Sequence, residues 1–335
     1  MRRPAERLTR GGQRSGRHEK TGKAADRRRD MARRIDDTGF GGLKLIQDSD
    51  LFCYGTDAVL LADFALLASY GPDSRVCDLG SGNGIVPLIM AKTTTAGLLA
   101  GLEIQEAQAN LARESAVLNG LEDRVSFFTG DVRDIAQTNR PETQADAAHT
   151  DCPETRGDIA KTDEPETRAD AAQTDDPETR KDHDASSLLM PRSFDVVTAN
   201  PPYTRASCGI KNPGGAIAAA RHETAGTLAD FTDAAARLLK DRGSFFMVHR
   251  PSRLADAVEC ARAAGLEPKR IRFVSGNAME APNIVLFHFV KNGGRNLEIL
   301  APMAVRNADG TFTDEMLRAY GRLPGNGDAG RTGDN

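Results

Sequence analysis

The sequence predicts an α/β fold: a doubly wound sheet of seven strands, read as parallel, with helices on both faces and a short N-terminal cover. Three observations carry this expectation. Short runs rich in β-branched and aromatic residues alternate with longer segments of helical periodicity, the order that crossover helices on a parallel sheet require. The first of these runs passes into Gly80-Ser81-Gly82-Asn83-Gly84 and then into a helix, a glycine turn that lets a ligand approach the backbone at a helix N-terminus. Finally, 335 residues with 39% hydrophobic content are enough for one full core with material to spare.

Taken in order, Gly42 to Gln47 and Leu51 to Tyr54 read as a hairpin, and Gly55-Thr56-Asp57 caps a helix, Ala58 to Ala68, with Val59, Leu60, Phe64 and Leu67 at helical spacing. The first sheet strand is Arg75 to Leu79, followed past the glycines by the helix Ile85 to Lys92. The second strand, Leu98 to Ile104, carries Glu103 near its end, and the helix Glu106 to Leu118 closes on Asn119-Gly120. A third strand, Val125 to Phe128, leads into Gly130-Asp131-Val132, and the fourth is Phe194 to Ala199. After it come the helix Leu228 to Lys240, the strand Ser244 to His249, the helix Leu254 to Ala264 and the strands Arg270 to Val274 and Asn283 to Val290. A short strand, Glu298 to Leu300, and a helix near Thr313 to Tyr320 end the ordered pattern.

Three segments fall outside it. Residues 1–34 hold 13 Lys and Arg against 4 Asp and Glu with almost no apolar content, which reads as a disordered basic tail, its charge able to add nonspecific attraction to phosphates; Met31 is an alternative start. Residues 136–187 interrupt the folded unit expected over 35–322, with Pro-Glu-Thr recurring every 12 residues at 141, 153, 165 and 177. A proline in each period and few large apolar residues cannot stack into a solenoid, so this reads as an acidic low-complexity insertion. Residues 323–335 form a glycine-rich flexible tail. The chain has no apolar run near 18 residues and begins with arginines rather than a signal peptide, so a soluble, cytoplasmic protein is expected. Five cysteines without C-x-x-C spacing and six scattered histidines predict neither a disulfide framework nor a metal site, and a monomer is favoured.

The chemistry concentrates at two places. Asn200-Pro201-Pro202-Tyr203 follows the fourth strand directly, and because proline has no ladder donor the chain must leave the sheet there. The two rings fix the Asn200 side chain and the adjoining carbonyls as a preorganised row of acceptors, and Tyr203 adds a flat face for a base or an amide plane. A plain Asn-Pro turn is the other reading of the tetrapeptide. At the glycine turn, an acidic residue about 20 positions on, Glu103, suits a ribose diol, while Asp131 after the third strand can accept from an adenine amino group. The dinucleotide fingerprint wants its third glycine at Ile85, and Asp78 would repel a pyrophosphate but suits an ammonium. S-adenosylmethionine is therefore preferred to NAD.

Asp78 to Gly84 together with Asn200 to Tyr203 resembles the class I (Rossmann-like) methyltransferases that modify amino groups. The flanking Leu45-Ile46-Gln47, Gly55 to Leu61, Ala220-Arg221-His222-Glu223, Met247-Val248-His249-Arg250-Pro251 and Leu266 to Arg270 are similar to the tRNA1(Val) (adenine-37-N6)-methyltransferase family; the basic tail and acidic insertion depart from it. The resemblance implies an enzyme that methylates N6 of an adenine in tRNA, adenine 37 of a valine tRNA, using S-adenosyl-L-methionine. It implies that Asn200 and the Pro201 carbonyl, with Pro202 beside them, hold the amino group, that Tyr203 stacks on the base, and that Asp57, Asp78, Gly80, Gly82, Asn83, Gly84, Glu103, Ile104, Asp131, Val132 and Asn200 line the cofactor site. Arg221, His222, His249 and Arg250 are candidates for substrate contacts, although His249 at a strand end can equally satisfy a backbone carbonyl and His222 can form a surface pair with Glu223. Two other readings remain. One is a protein-glutamine methyltransferase acting on release factors, whose N-terminal helical domain has no counterpart here. The other is an RNA-binding protein that keeps the fold without turnover.

Overall fold

The computed structural model describes residues 33–49, 51, 53–137, 188–203 and 226–322. The expected basic tail, acidic insertion and C-terminal tail lie almost wholly outside these residues, as do Arg221 and His222. At the margins, Arg33 and Arg34, assigned above to the tail, open the first strand, and Ala136 and Gln137, assigned to the insertion, finish a helix.

The chain begins with β1 (Arg33–Asp37) paired antiparallel to β2 (Lys44–Asp48). The hairpin partner is thus the upstream segment and not Leu51 to Tyr54. The reversal is made by Gly39, Gly41 and Gly42, all at positive φ, and β1 escaped notice because its exposed Arg-Arg-Ile-Asp-Asp has no apolar alternation. Helix α1 (Thr56–Ala65) follows, buried on nearly every side, then β3 (Arg75–Leu79), α2 (Ile85–Thr93), β4 (Leu98–Glu103), α3 (Glu106–Leu118), β5 (Val125–Thr129) and α4 (Val132–Gln137). The second half comprises β6 (Phe194–Ala199), α5 (Leu228–Leu238), β7 (Leu239–His249), α6 (Leu254–Ala263), β8 (Leu266–Asn277), β9 (Ile284–Lys291), β10 (Glu298–Ile299), β11 (Met303–Arg306) and α7 (Asp314–Ala319).

The main sheet has the order β10-β8-β9-β7-β6-β3-β4-β5, with β11 also on β8. It is doubly wound as expected, with two corrections. Among the described residues the sheet has nine strands, because β10 and β11 add short parallel pairings beside β8; β11 spans only Met303 to Arg306, too short for a sequence pattern. It is also not all parallel: β9 runs antiparallel to both β7 and β8, since the link from Asn277 to Ile284 is a tight turn with no room for a crossover helix. Strand β7 starts at Leu239, five residues earlier than Ser244, because Arg242 takes a positive φ and the ladder with β6 shifts register between Phe194 and Val196.

Two cores flank the sheet. One is built from Leu43, Leu45, α1, α2 and the inner side of α3. The other is built from α4, α5 and α6 against Phe245, Phe287 and Phe289. The small hairpin is fastened to the first: the backbone amides of Lys44 and Ile46 donate to Oδ1 of Asn119, the C-cap of α3 (2.9 Å), and to Oγ of Ser115 within it (3.0 Å). Strand β2 is thereby a covered edge, its ladder donors satisfied by a helix.

Candidate active site

The strand order reverses between β3 and β6, which are neighbours, and in doubly wound sheets ligands bind outside the carboxyl ends of the strands at such a switch point. Leu79 is in register with both Leu102 and Ala199, and Ala199 with Met247. Gly80, Glu103, Asn200 and Val248 therefore emerge at one level from adjacent parallel strands.

On the donor side, Gly80, Gly82 and Gly84 all adopt left-handed φ, of 70°, 54° and 83°. The amides of Gly80 and Ser81 donate to the Leu102 carbonyl (2.8 and 2.9 Å), and that of Gly82 to Glu103 Oε2 (2.9 Å). The three glycines differ in what surrounds them. A Cβ on Gly84 would lie 2.5 Å from Phe127 and 2.8 Å from Ala112, so there the glycine serves helix packing; above Gly82 nothing lies within 4 Å among the described residues. Open space over a backbone turn is a cradle for a ligand that a side chain would fill.

Two carboxylates meet here. Asp78 is buried beside Thr198, its partner in register, whose hydroxyl donates to Asp78 Oδ1 at 2.6 Å. Burial, and less so the charge of Glu103, push the Asp78 carboxyl up to about 7 against the Thr198 bond. Glu103 is also raised by burial, opposed by backbone amides of Gln105, Gly82 and Ile104. Two buried acids, both raised by burial and one also by the charge of the other, suit a cationic group bearing hydroxyls. Asp131, at the exit of β5, is instead lowered: burial raises it, but the amide and guanidinium of Arg133 outweigh that. Its oxygens are shared with Arg133, so an adenine amino group would join an existing pair. Ile104 is half-buried at the exit of β4, and Val132 sits in the second core. The Asn83 side chain turns away from the turn, donating to Gln47 Oε1 at 3.3 Å.

On the acceptor side, Pro201 is buried and Asn200, Pro202 and Tyr203 are half-buried. The Tyr203 hydroxyl donates to Asp57 Oδ2 at 2.6 Å, the Arg250 guanidinium lies 4.5 Å from its ring centroid, and the His249 ring is 5.2 Å away at 60°. His249 accepts the Arg250 amide at Nδ1 (2.8 Å), so it satisfies a backbone donor rather than a carbonyl. Burial, then Arg253 and Arg250, lower it to about 4. A neutral imidazole with Nδ1 engaged is a structural prop for the corner and a poor base.

Thr198 and Gln47 were not foreseen as site residues. A threonine in the apolar run of β6, directly across from Asp78, was the signal for the first. Gln47 gathers Asp36, the Tyr54 amide (3.3 Å) and Asn83 from three segments, which no local pattern reveals.

Comparison with known proteins agrees with this geometry. A family model described as a methyltransferase domain matches residues 71–174. Among curated relatives, the tRNA1(Val) (adenine(37)-N6)-methyltransferase of Porphyromonas gingivalis is 24% identical over 203 residues, 60% of this chain and 60% of that protein, so this chain spans about three fifths of that relative. The enzyme of the same name from Aeromonas hydrophila is 23% identical over 266 residues, 79% of this chain and 86% of that one. A solved structure of a predicted O-methyltransferase from Agrobacterium tumefaciens superposes with a TM-score of 0.53 at 19% identity, over 79% of this chain and 96% of that one, and supports the fold alone.

Proposed function

We propose that this chain, which belongs to the family of the tRNA1(Val) (adenine(37)-N6)-methyltransferases, transfers a methyl group from S-adenosylmethionine to N6 of an adenine in tRNA, with adenine 37 of a valine tRNA as the target. The observation that carries this reading is the register of Leu79 with Ala199, which sets the acceptor corner at Asn200 beside the glycine turn at Gly80 on neighbouring strands.

The residues present fit the cofactor. Asp78 suits its ammonium, the open face of Gly82 its methionine part, Glu103 its ribose and Asp131, shared with Arg133, its adenine. When bound, S-adenosylmethionine supplies a methyl group activated by a positively charged sulfur. The rest is done by this chain. The Asn200 side-chain oxygen and the Pro201 carbonyl accept the two amino hydrogens of the base, drawing the nitrogen lone pair out of conjugation with the ring. Tyr203 holds the ring plane by stacking. Orientation of this kind and a water-poor site account for most of the acceleration. The methylated nitrogen sheds its surplus proton to water, so His249 needs no role as a base. An anticodon-loop adenine is already unpaired, which lowers the cost of turning it into the site.

The test is transfer of a labelled methyl group to tRNA transcripts lacking modification, with release factor as a parallel substrate and nucleoside mapping of the product. N6-methyladenosine at position 37 of valine tRNA is the expected product. Label on a release-factor glutamine instead, or on neither, would overturn the reading.

A further inference from the structure

We propose that Asp57 is a positioning residue for Tyr203, fixing the ring on which the target base stacks, and that it makes no contact with the methyl donor. This deepens the N6-adenine reading and rests on it. Tyr203 and Asp57 are 146 residues apart, and their 2.6 Å hydrogen bond joins the acceptor corner to the first turn of α1. Both oxygens of Asp57 have partners: Oδ2 takes the Tyr203 hydroxyl and Oδ1 takes the amide of Ala58 at 3.0 Å. A carboxylate in the first turn of a ten-residue helix is held there by the helix dipole as well as by that amide.

The local sequence makes room for this arrangement. A Cβ on Gly55 would lie 2.7 Å from Asp57 Oδ1, so the preceding glycine is what allows the carboxylate to sit where it does. Arg250 completes the grip. Its guanidinium covers one face of the Tyr203 ring while Nη1 donates to the Asn283 carbonyl at 3.0 Å, which anchors the cation to the start of β9. Held at its hydroxyl by Asp57 and across a face by Arg250, the ring loses little freedom when a base arrives, and that saving is realised in turnover rather than in donor affinity.

The experiment compares Asp57→Ala, Asp57→Asn, Gly55→Ala, Tyr203→Phe and the Asp57→Ala/Tyr203→Phe double variant of the full chain. It reads the Kd for S-adenosylmethionine, kcat and KM on tRNA transcript, and thermal midpoints as a check on folding. Asp57→Ala and Tyr203→Phe are each expected to lower kcat roughly ten- to a hundredfold, with donor Kd within about threefold of the parent. The double variant should be no worse than either single change, because both remove one interaction. Asp57→Asn keeps an acceptor and should restore most of kcat, and Gly55→Ala, which displaces the carboxylate without deleting it, should behave like Asp57→Ala. A donor Kd weakened more than about tenfold in Asp57→Ala but not in Tyr203→Phe overturns the proposal, as do losses that multiply in the double variant. The donor-binding arm needs no RNA, so failure of the tRNA reading, seen as an unmutated chain inactive on tRNA, is distinct from failure of this one.

Discussion

The two sides of the site are built in opposite ways. The glycine turn on the donor side is local: Gly80, Gly82, Glu103 and the Leu102 carbonyl come from two consecutive strands and are bonded to one another. The acceptor side is assembled from afar, with Tyr203 held by Asp57 of α1 and by Arg250 beyond β7. A site of the first kind is set once two strands pair. The second kind is complete only when both halves of the sheet and the helix covering it have docked, so changes far from the corner in sequence should reach it.

That contrast can be broken most sharply at Asn200. Asn200→Ala should lower kcat about a hundred- to a thousandfold while leaving the Kd for S-adenosylmethionine nearly unchanged, as measured by single-turnover transfer and calorimetry. Equal losses in both would mean that the corner also holds the donor and that the two sides are not separable.

A smaller effect sharpens the comparison within the donor side. Gly84→Ala drives a Cβ into Phe127 and Ala112 and is expected to cost about 1–3 kcal/mol of stability in denaturant unfolding. Gly82→Ala meets no neighbour among the described residues; its backbone strain should cost about 1–2 kcal/mol, while donor affinity falls by more than the stability change explains. Should the two variants lose donor affinity alike, the open space over Gly82 is not where the donor lies.

The smallest effect concerns the prop behind the corner. His249 is held near 4 against an ordinary 6.5, so as pH falls from about 6.5 to about 4 the unfolded chain binds a proton that the folded chain refuses, and stability is lost across that window. Asp78, at about 7, and Asp63, raised by burial to about 6, work the other way: the folded chain keeps protons the unfolded one sheds, so they favour folding at lower pH. Only a difference measurement isolates the histidine. Between pH 7 and pH 5 the parent should lose on the order of 1–2 kcal/mol more than His249→Gln in chemical denaturation, and parallel curves would place His249 in a more solvated state than the fold implies.

Much of this was legible in the sequence because contiguous patterns encode contiguous structure. Arg75 to Leu79, the glycine turn and Glu103 fall where strand, turn and strand were read, because buried parallel strands announce themselves as short apolar runs. Asn200 to Tyr203 leaves its strand at the expected residue, because proline has no other choice. What could not be read depends on partners distant in the chain. Strand β1 is polar and paired by virtue of the glycines after it; β9 reverses direction because its connection is short; and the roles of Asp57 and Gln47 exist only once α1 and the hairpin have packed. Gly82 and Gly84 are the same letter in the same motif, and only their surroundings separate them: a Cβ on Gly84 meets a phenylalanine, while Gly82 faces open space among the described residues.

The claim on which all of this turns is that the corner at Asn200 faces the methyl to be transferred. A crystal structure of the full chain with S-adenosylmethionine and an adenine nucleoside measures it directly. The amino nitrogen is expected to be bonded to the Asn200 side chain and the Pro201 carbonyl, about 3–3.5 Å from the methyl carbon. A base bound elsewhere, or a corner turned away from that methyl, would contradict it.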